Sequence, residues 1–139
     1  MKRIAKLALW IGGGVLVTLA AGWLWGVSGK SDLIAKLNHA ESRADVLSAR
    51  AGVLQARVDL YNVNFGDASR SLEAAKPPLE RARARFRQSG ADDLAGRTEE
   101  ALNHIGQAQR LAGKLDPAAN SSAAAAIEAL EKLPASSAP

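Results

Sequence analysis

Residues 33–65, LIAKLNHAESRADVLSARAGVLQARVDLYNVNF, carry the pattern that decides the fold. Apolar or small side chains recur along this stretch at alternating intervals of four and three residues. They are Leu33, Leu37, Ala40, Ala44, Leu47, Ala51, Leu54, Val58, Tyr61 and Phe65. Such intervals place the residues on one stripe of an α-helix and are typical of left-handed helix packing. The stretch therefore predicts a long helix that packs through this stripe.

A basic edge, defined as Lys36, Arg43, Arg50 and Arg57, runs beside the stripe at intervals of seven residues. On the other flank lie Glu41, Ser48, Gln55 and Asn62. If two copies of the helix paired in parallel, only Lys36 and Glu41 would form an ion pair across them. We therefore expect the basic edge to meet acids of other helices in the chain, which offers Glu73, Glu80, Glu99 and Glu100. The alternative is that these bases are solvated and contribute little individually.

Three further helices follow, separated by short turns. Asn64–Asp67 and Ser89–Asp92 each hold a glycine that can end one helix and an aspartate that can cap the next, and Asp116–Pro117 begins the last helix. Pro77 and Pro78 predict a kink and not a loop, because the apolar pattern keeps its phase across them. The predicted helices cover about 32–64, 67–89, 92–115 and 117–133. Short turns make neighbouring helices antiparallel, so the fold class is all-α, an up-down bundle with coiled-coil-like hairpins.

Residues 61–75, YNVNFGDASRSLEAA, carry a Gly66-Asp67 turn that is followed by Ala68 and by Leu72 four residues later. This stretch is similar to the helix-turn-helix of tetratricopeptide-type repeats. It lacks the aromatic residue usual after the turn, and the chain shows no clean 34-residue period. The resemblance implies helical hairpins and says nothing about a ligand.

Residues 7–27, LALWIGGGVLVTLAAGWLWGV, contain no charged residue. As a helix this segment would be about 31 Å long, which is enough to cross the hydrocarbon of a bilayer. Lys2, Arg3 and Lys6 precede it without an acid, so residues 1–6 are predicted to stay in the cytoplasm. Residues 28–31 then form a joint, residues 32–133 a periplasmic or extracellular helical domain, and residues 134–139 a mobile tail.

The alternative to an anchor is a cleaved signal peptide, for which Ala20-Ala21-Gly22 would supply the small residues. Signal peptides have apolar segments of about 7–15 residues, which is shorter than this one. Trp23 and Trp25 would also follow such a cut directly, whereas indole rings favour the membrane boundary. We therefore expect the segment to be retained.

Two features near the anchor predict contact with another chain. Gly14, Thr18, Gly22 and Gly26 form a stripe of small residues within the anchor, a pattern that lets membrane helices pack closely. Beyond the membrane, the first helix is longer than the helices meant to cover it. The apolar residues at its base are therefore expected to dock a second membrane-anchored chain, a copy of itself or part of a larger complex. They are Leu33, Ile34, Leu37 and Ala40.

Composition argues against nucleic-acid binding and against catalysis. The net charge is +4, but all 14 acids and all but four of the 18 bases lie beyond residue 30, so the surplus belongs to the membrane flank and lipid headgroups. There is no cysteine, and His39 and His104 lack a partner at metal-binding spacing. Arg81, Arg83, Arg85 and Arg87 spread over two helix faces, which favours a solvated surface over an anion site. We expect no enzyme, cofactor or metal.

These observations predict a membrane-anchored structural or accessory protein that binds through helices, with lipid and another membrane protein, or itself, as partners. The alternative is a secreted or envelope helical module that binds a ligand or acts as a sensor. A pocket that brings together Tyr61, Phe65 and Phe86 would favour that alternative.

Overall fold

The computed structural model describes residues 33–133, and every regular element among them is an α-helix. The first helix, α1, covers 33–61, and the others are α2 (Phe65–Gln88), α3 (Asp92–Ala112) and α4 (Ala119–Glu131). The chain divides into two units, residues 1–37 and 38–139. Within the first unit only 33–37 are described, and the packing below concerns the second. The expected all-α fold of packed helices without strands is confirmed for the described residues.

The described helices include no segment that is long and apolar enough to cross a membrane. The predicted cytoplasmic flank, anchor and joint, with the stripe Gly14, Thr18, Gly22 and Gly26, lie outside the described residues. So does the predicted tail at 134–139.

The core is built from small side chains, as the shortage of aromatic residues requires. Alanine supplies about half of it, and the large buried side chains include Leu72, Leu79, Ile105 and Leu130. In α2 all six residues of the predicted stripe are buried: Ala68, Leu72, Ala75, Leu79, Ala82 and Phe86. In α4 and just beyond its end, the five residues predicted to point inward are buried as well: Ala123, Ala126, Ile127, Leu130 and Leu133. Alanine-rich stripes of this kind let helix backbones approach closely.

The prolines do not interrupt α2. Pro77 and Pro78 both lie inside this 24-residue helix, and Pro78 is buried in its packing face. The helix therefore absorbs the loss of two backbone donors because its apolar stripe is held against α1 and α3 on both sides of the prolines.

The turns use residues other than some of those predicted. Asn64, not Asp67, caps α2, and its side chain accepts a hydrogen bond from the Asp67 amide. Gly66 lies inside α2, while Val63 takes the left-handed conformation with φ of 60°. Gly90 does adopt positive φ at the second turn, but Ala91 precedes α3 without a side-chain cap. Asp116 accepts from the Ala118 amide at 2.9 Å, and α4 begins at Ala119.

Buried polar side chains are satisfied among the described residues. The Ser42 hydroxyl donates to the Asn38 carbonyl at 2.8 Å, and the Thr98 hydroxyl donates to the Leu94 carbonyl at 2.7 Å. A side chain that bonds to its own helix in this way can be buried without the cost of an unpaired donor.

Candidate interaction surface

The face that α1 buries is not the one with the longest apolar repeat. Its buried apolar residues are Val46, Ala49, Val53, Ala56 and Leu60. These residues also alternate by three and four, and on a helical wheel they lie opposite the stripe that begins at Leu33. The core of the second unit therefore uses a second, shorter stripe on the other side of α1.

The longer stripe faces solvent within the second unit. We define its members there as the outer seam: Ala40, Ala44, Leu47, Ala51, Leu54, Val58 and Tyr61, all of them exposed. The large side chains are 43% to 82% exposed, with Leu54 lowest and Tyr61 highest. A surface helix of a monomeric protein normally carries one apolar stripe, and contiguous exposed apolar area marks an interaction site more often than scattered residues do.

One side of α1 is fixed to α2 by a buried carboxylate. Asp45 is only 9% exposed, and it accepts hydrogen bonds from Arg81 Nη2 at 2.7 Å and from Arg85 Nη1 at 2.5 Å. Arg85 Nη2 also reaches Glu41 Oε2 at 2.9 Å. Three ion pairs, made by two carboxylates and two guanidinium groups, thus hold α1 in one rotation against α2.

The charges around Asp45 shift its titration. Burial by itself would raise the pKa of Asp45, but the hydrogen bonds and positive charges of Arg81 and Arg85 hold it below its ordinary value. The hydrogen bond to Asp45 in turn raises the pKa of Arg85. The pair is therefore fully ionised at neutral pH and acts as a fixed bridge.

The other side of α1 meets α4. Arg50 Nη2 lies 2.7 Å from Glu131 Oε1, and Arg57 Nε donates to Asn120 Oδ1 at 3.1 Å. Two members of the predicted basic edge thus contact a neighbouring helix, although their partners are not the four glutamates proposed from sequence. Lys36 and Arg43 also take part in interactions, and both lie on the same edge.

The four arginines near the C-terminal end of α2 are all paired within the described chain. Arg81 and Arg85 bind Asp45 across to α1, while Arg83 and Arg87 bind Glu99 of α3 at 3.3 and 3.0 Å. The sequence predicted that these arginines lie on two faces of the helix. In the structure the arginines of one face bind Asp45 and those of the other face bind Glu99. The arginines therefore serve to join three helices.

Two open clefts border this region. One, of about 300 Å³, lies between the end of the outer seam and the start of α4 and is lined by Leu54, Arg57, Val58, Tyr61 and Asn120. The other, of about 530 Å³, lies where α2 meets the end of α3, and Phe65 and Gln109 are among its residues. Tyr61 and Phe65 thus line different clefts, and Phe86 is a core residue. The structure does not bring these three aromatics together in one of these clefts.

The remaining predicted residues are exposed or half-buried. Leu33, Ile34 and Leu37 in the first unit are each more than half exposed, and Ala40 is exposed too. Their docking role stays a prediction. His39 is exposed and His104 is half-buried, and the described residues contain no cluster of three or more acidic or histidine side chains suited to a metal ion.

Two features were missed from sequence. The sequence does show the second apolar stripe, spaced by three and four residues: Val46, Ala49, Val53, Ala56 and Leu60. The longer stripe that begins at Leu33 was interpreted as the packing face instead. Asp45 next to Val46 carried a weaker signal, since a lone acid beside an apolar stripe is usually solvated. Its burial follows from where Arg81 and Arg85 fall on α2, which depends on the relative rotation of two helices.

Comparisons with models of protein families, with curated proteins and with solved structures gave no match. The function of the chain is therefore inferred from its sequence and from the exposed face of α1.

Proposed function

We propose that this protein is a single-pass membrane protein whose helical domain lies outside the cytoplasm and acts as a structural or accessory subunit. It works by binding another protein through the exposed face of α1. The observation that carries the proposal is the pairing of an uncharged 21-residue segment with a helix that exposes an apolar stripe. Contiguous exposed apolar side chains on one helix face support binding to another protein.

The ion pairs of α1 support this function. Asp45 holds α1 to α2 and Arg50 holds it to α4, so the helix is fixed on two sides while its third side stays open. A rigid element that presents a preformed apolar face loses little conformational entropy on binding. This arrangement supports a role as a docking helix more than it supports a role in forming a ligand pocket.

The test is the location and topology of the intact chain, which lacks cysteine and so accepts single labels. Membranes are washed with alkaline carbonate, and the purified protein is weighed by mass spectrometry. In intact cells a membrane-impermeant maleimide is applied to Ser121→Cys and to Lys2→Cys, at an exposed site of α4 and in the basic flank. We expect carbonate-resistant protein of full mass, labelling of Ser121→Cys in intact cells and labelling of Lys2→Cys only after lysis.

The opposite results overturn the proposal in different ways. Release by carbonate, or labelling of Ser121→Cys only after lysis, would exclude an anchored domain outside the cytoplasm. A mass that lacks the first twenty or so residues would favour the secreted alternative. Purification from membranes in mild detergent, followed by mass spectrometry of the proteins that accompany the chain, identifies partners.

A further inference from the structure

Helix α1 has two apolar faces, and its own chain covers one of them. Asp45 directs α2 to one flank of the buried face, and Arg50 and Arg57 direct α4 to the other. The outer seam lies on the opposite side, so neither neighbour covers it. A helix that is apolar on two sides is typical of one packed between two layers.

The described residues do not supply the second layer, because the large side chains of the outer seam are 43% to 82% exposed among them. Residues 7–27 are assigned to the bilayer by the proposed function. We therefore look for the second layer in a second chain.

The repeat of the seam specifies what kind of chain this is. From Ala40 to Tyr61 the intervals are 4, 3, 4, 3, 4 and 3, which is the 3.5-residue period of a two-helix coiled coil. Side chains at this period interdigitate with those of a helix of the same period. A second copy of α1 has that period by identity, and a two-fold pair buries the same seam on both copies.

The polar flanks of the seam decide the direction of the pair. Arg50 and Arg57 lie on one flank, and Gln55 and Asn62 lie on the other. Antiparallel copies would bring the two arginine flanks together, whereas parallel copies place each arginine flank against the amides of the partner. Like charges side by side are unfavourable, and amide oxygens accept hydrogen bonds from guanidinium groups.

We propose that the outer seam pairs with the seam of a second copy to form a parallel, in-register coiled coil. The direction also rests on the proposed function, because two chains anchored by their N-terminal segments in one membrane run the same way. Anchoring raises the effective concentration of each seam for the other, which compensates for a contact of only about three heptads. If the small-residue stripe predicted in the anchor also pairs, it would add a second contact between the two copies.

The first experiment uses the full chain in its native membranes with one cysteine at a time. Leu47→Cys and Leu54→Cys lie seven residues apart at equivalent positions of the repeat, and Gln107→Cys on exposed α3 is the control. A short bifunctional thiol crosslinker should join each seam variant to itself and give a product of twice the chain mass. The control should stay monomeric under the same conditions.

Each alternative arrangement gives its own pattern. In an antiparallel pair, Leu47→Cys would crosslink to Leu54→Cys when the two variants share a membrane, and the two variants would not crosslink to themselves in equal yield. A different partner would give a product of another mass. Either result overturns the inference, as does the absence of seam crosslinks. A negative crosslinking result would not contradict the proposed function, because carbonate resistance and surface labelling measure membrane topology and do not depend on the seam.

A second measurement does not depend on crosslinking. The molar mass of the full chain in detergent micelles should correspond to a dimer, and Leu47→Ser with Leu54→Ser should weaken dimerisation at least about a hundredfold, roughly tenfold for each leucine. Both residues are exposed, so the far-UV circular dichroism spectrum should not change. An unchanged dissociation constant in the double variant would overturn the inference.

Discussion

Asp45 of α1 and Arg85 of α2 form an ion pair between two helices, with 2.5 Å between Oδ2 and Nη1. Both side chains are largely shielded, with 12% and 22% of their surfaces exposed. Arg81 binds the other carboxylate oxygen, so one acid joins two successive turns of α2. This geometry sets which face of α1 enters the core and therefore which face remains outside.

Replacement of Asp45 by asparagine should destabilise the bundle by about 2 kcal/mol, the loss expected for a hydrogen bond to a charged group when one partner is removed. The amide keeps the shape but leaves two guanidinium groups without their counter-charge. The measurement is urea unfolding of the full chain in mild detergent, followed by circular dichroism.

Glu41→Gln is the matched control, because Glu41 binds the same Arg85 at 2.9 Å from an exposed position. An exposed pair contributes less than about 1 kcal/mol, so this variant should lose far less stability than the other. Equal losses in the two variants would show that burial of Asp45 has no special role.

The same carboxylate makes stability depend on pH. The pKa of Asp45 is lowered in the folded chain relative to its ordinary value of 3.8, so the unfolded chain binds the proton more readily. The stabilisation is therefore complete above that value and is lost as pH falls through the lowered pKa. Unfolding free energy should decline below about pH 4, and this decline should be smaller in Asp45→Asn.

Glu73 contributes to the same acid limb, because hydrogen bonds from Lys76 and Gln109 lower its pKa. Some pH dependence should thus remain in Asp45→Asn. Titration of both proteins between pH 2 and 7 by urea unfolding separates the two carboxylates. Identical slopes below pH 4 would contradict the assignment to Asp45.

Gly52 lies where α1 and α2 approach each other closely. A Cβ atom at this position would lie 3.2 Å from Ala75 Cβ and 3.4 Å from the Ser71 carbonyl oxygen. Alanine at this position should gain about 1 kcal/mol of helix propensity but lose more by forcing the helices apart, giving a net loss of about 1 kcal/mol. Thermal unfolding of Gly52→Ala in detergent measures the net effect.

Gly96 is the matched position, because it lies inside α3 with open space where a Cβ would be. Gly96→Ala should raise stability by up to about 1 kcal/mol through helix propensity alone. Stabilisation of equal size at both glycines would show that α1 and α2 have room to spare at Gly52.

The sequence predicted the helices of this fold better than their rotation. The apolar stripes of α2 and α4 are single on their helices, so the residues predicted to be inward are buried without exception. In α3 the stripe is buried at Thr98, Ala101, Ile105, Ala108 and Ala112 but only partly at Leu94. Leu115 takes positive φ after the helix has stopped and is exposed. A single stripe leaves a helix one way to face the core.

Helix α1 shows why the sequence alone could not predict which helix face is buried. Its two stripes both satisfy helical packing, and the stripe of Leu47 and Leu54 is longer than that of Val46 and Val53. Which stripe is buried depends on the match between Asp45 and two arginines 36 and 40 residues away, and periodicity contains no information about such pairs. The cap at Asn64 was missed because Asn64 and Asp67 are both residues that can cap a helix, and the sequence does not decide between them.

Leu72 of α2 and Leu54 of α1 differ sharply in burial. Leu72 is fully buried between helices, and its replacement by alanine should cost about 3 kcal/mol through lost burial and a residual cavity. Leu54 is 43% exposed on the outer seam, so Leu54→Ala should cost less than about 1 kcal/mol in dilute protein, where the chain is monomeric. Urea unfolding in detergent at low concentration measures both.

Repeating these measurements at high protein concentration separates core from interface. A dimer stabilises the folded chain by mass action, so the cost of Leu54→Ala should grow with concentration while that of Leu72→Ala stays constant. Parallel behaviour of the two variants at all concentrations would mean that Leu54 acts only within its own chain, and the outer seam would then be an exposed stripe without a self-binding role.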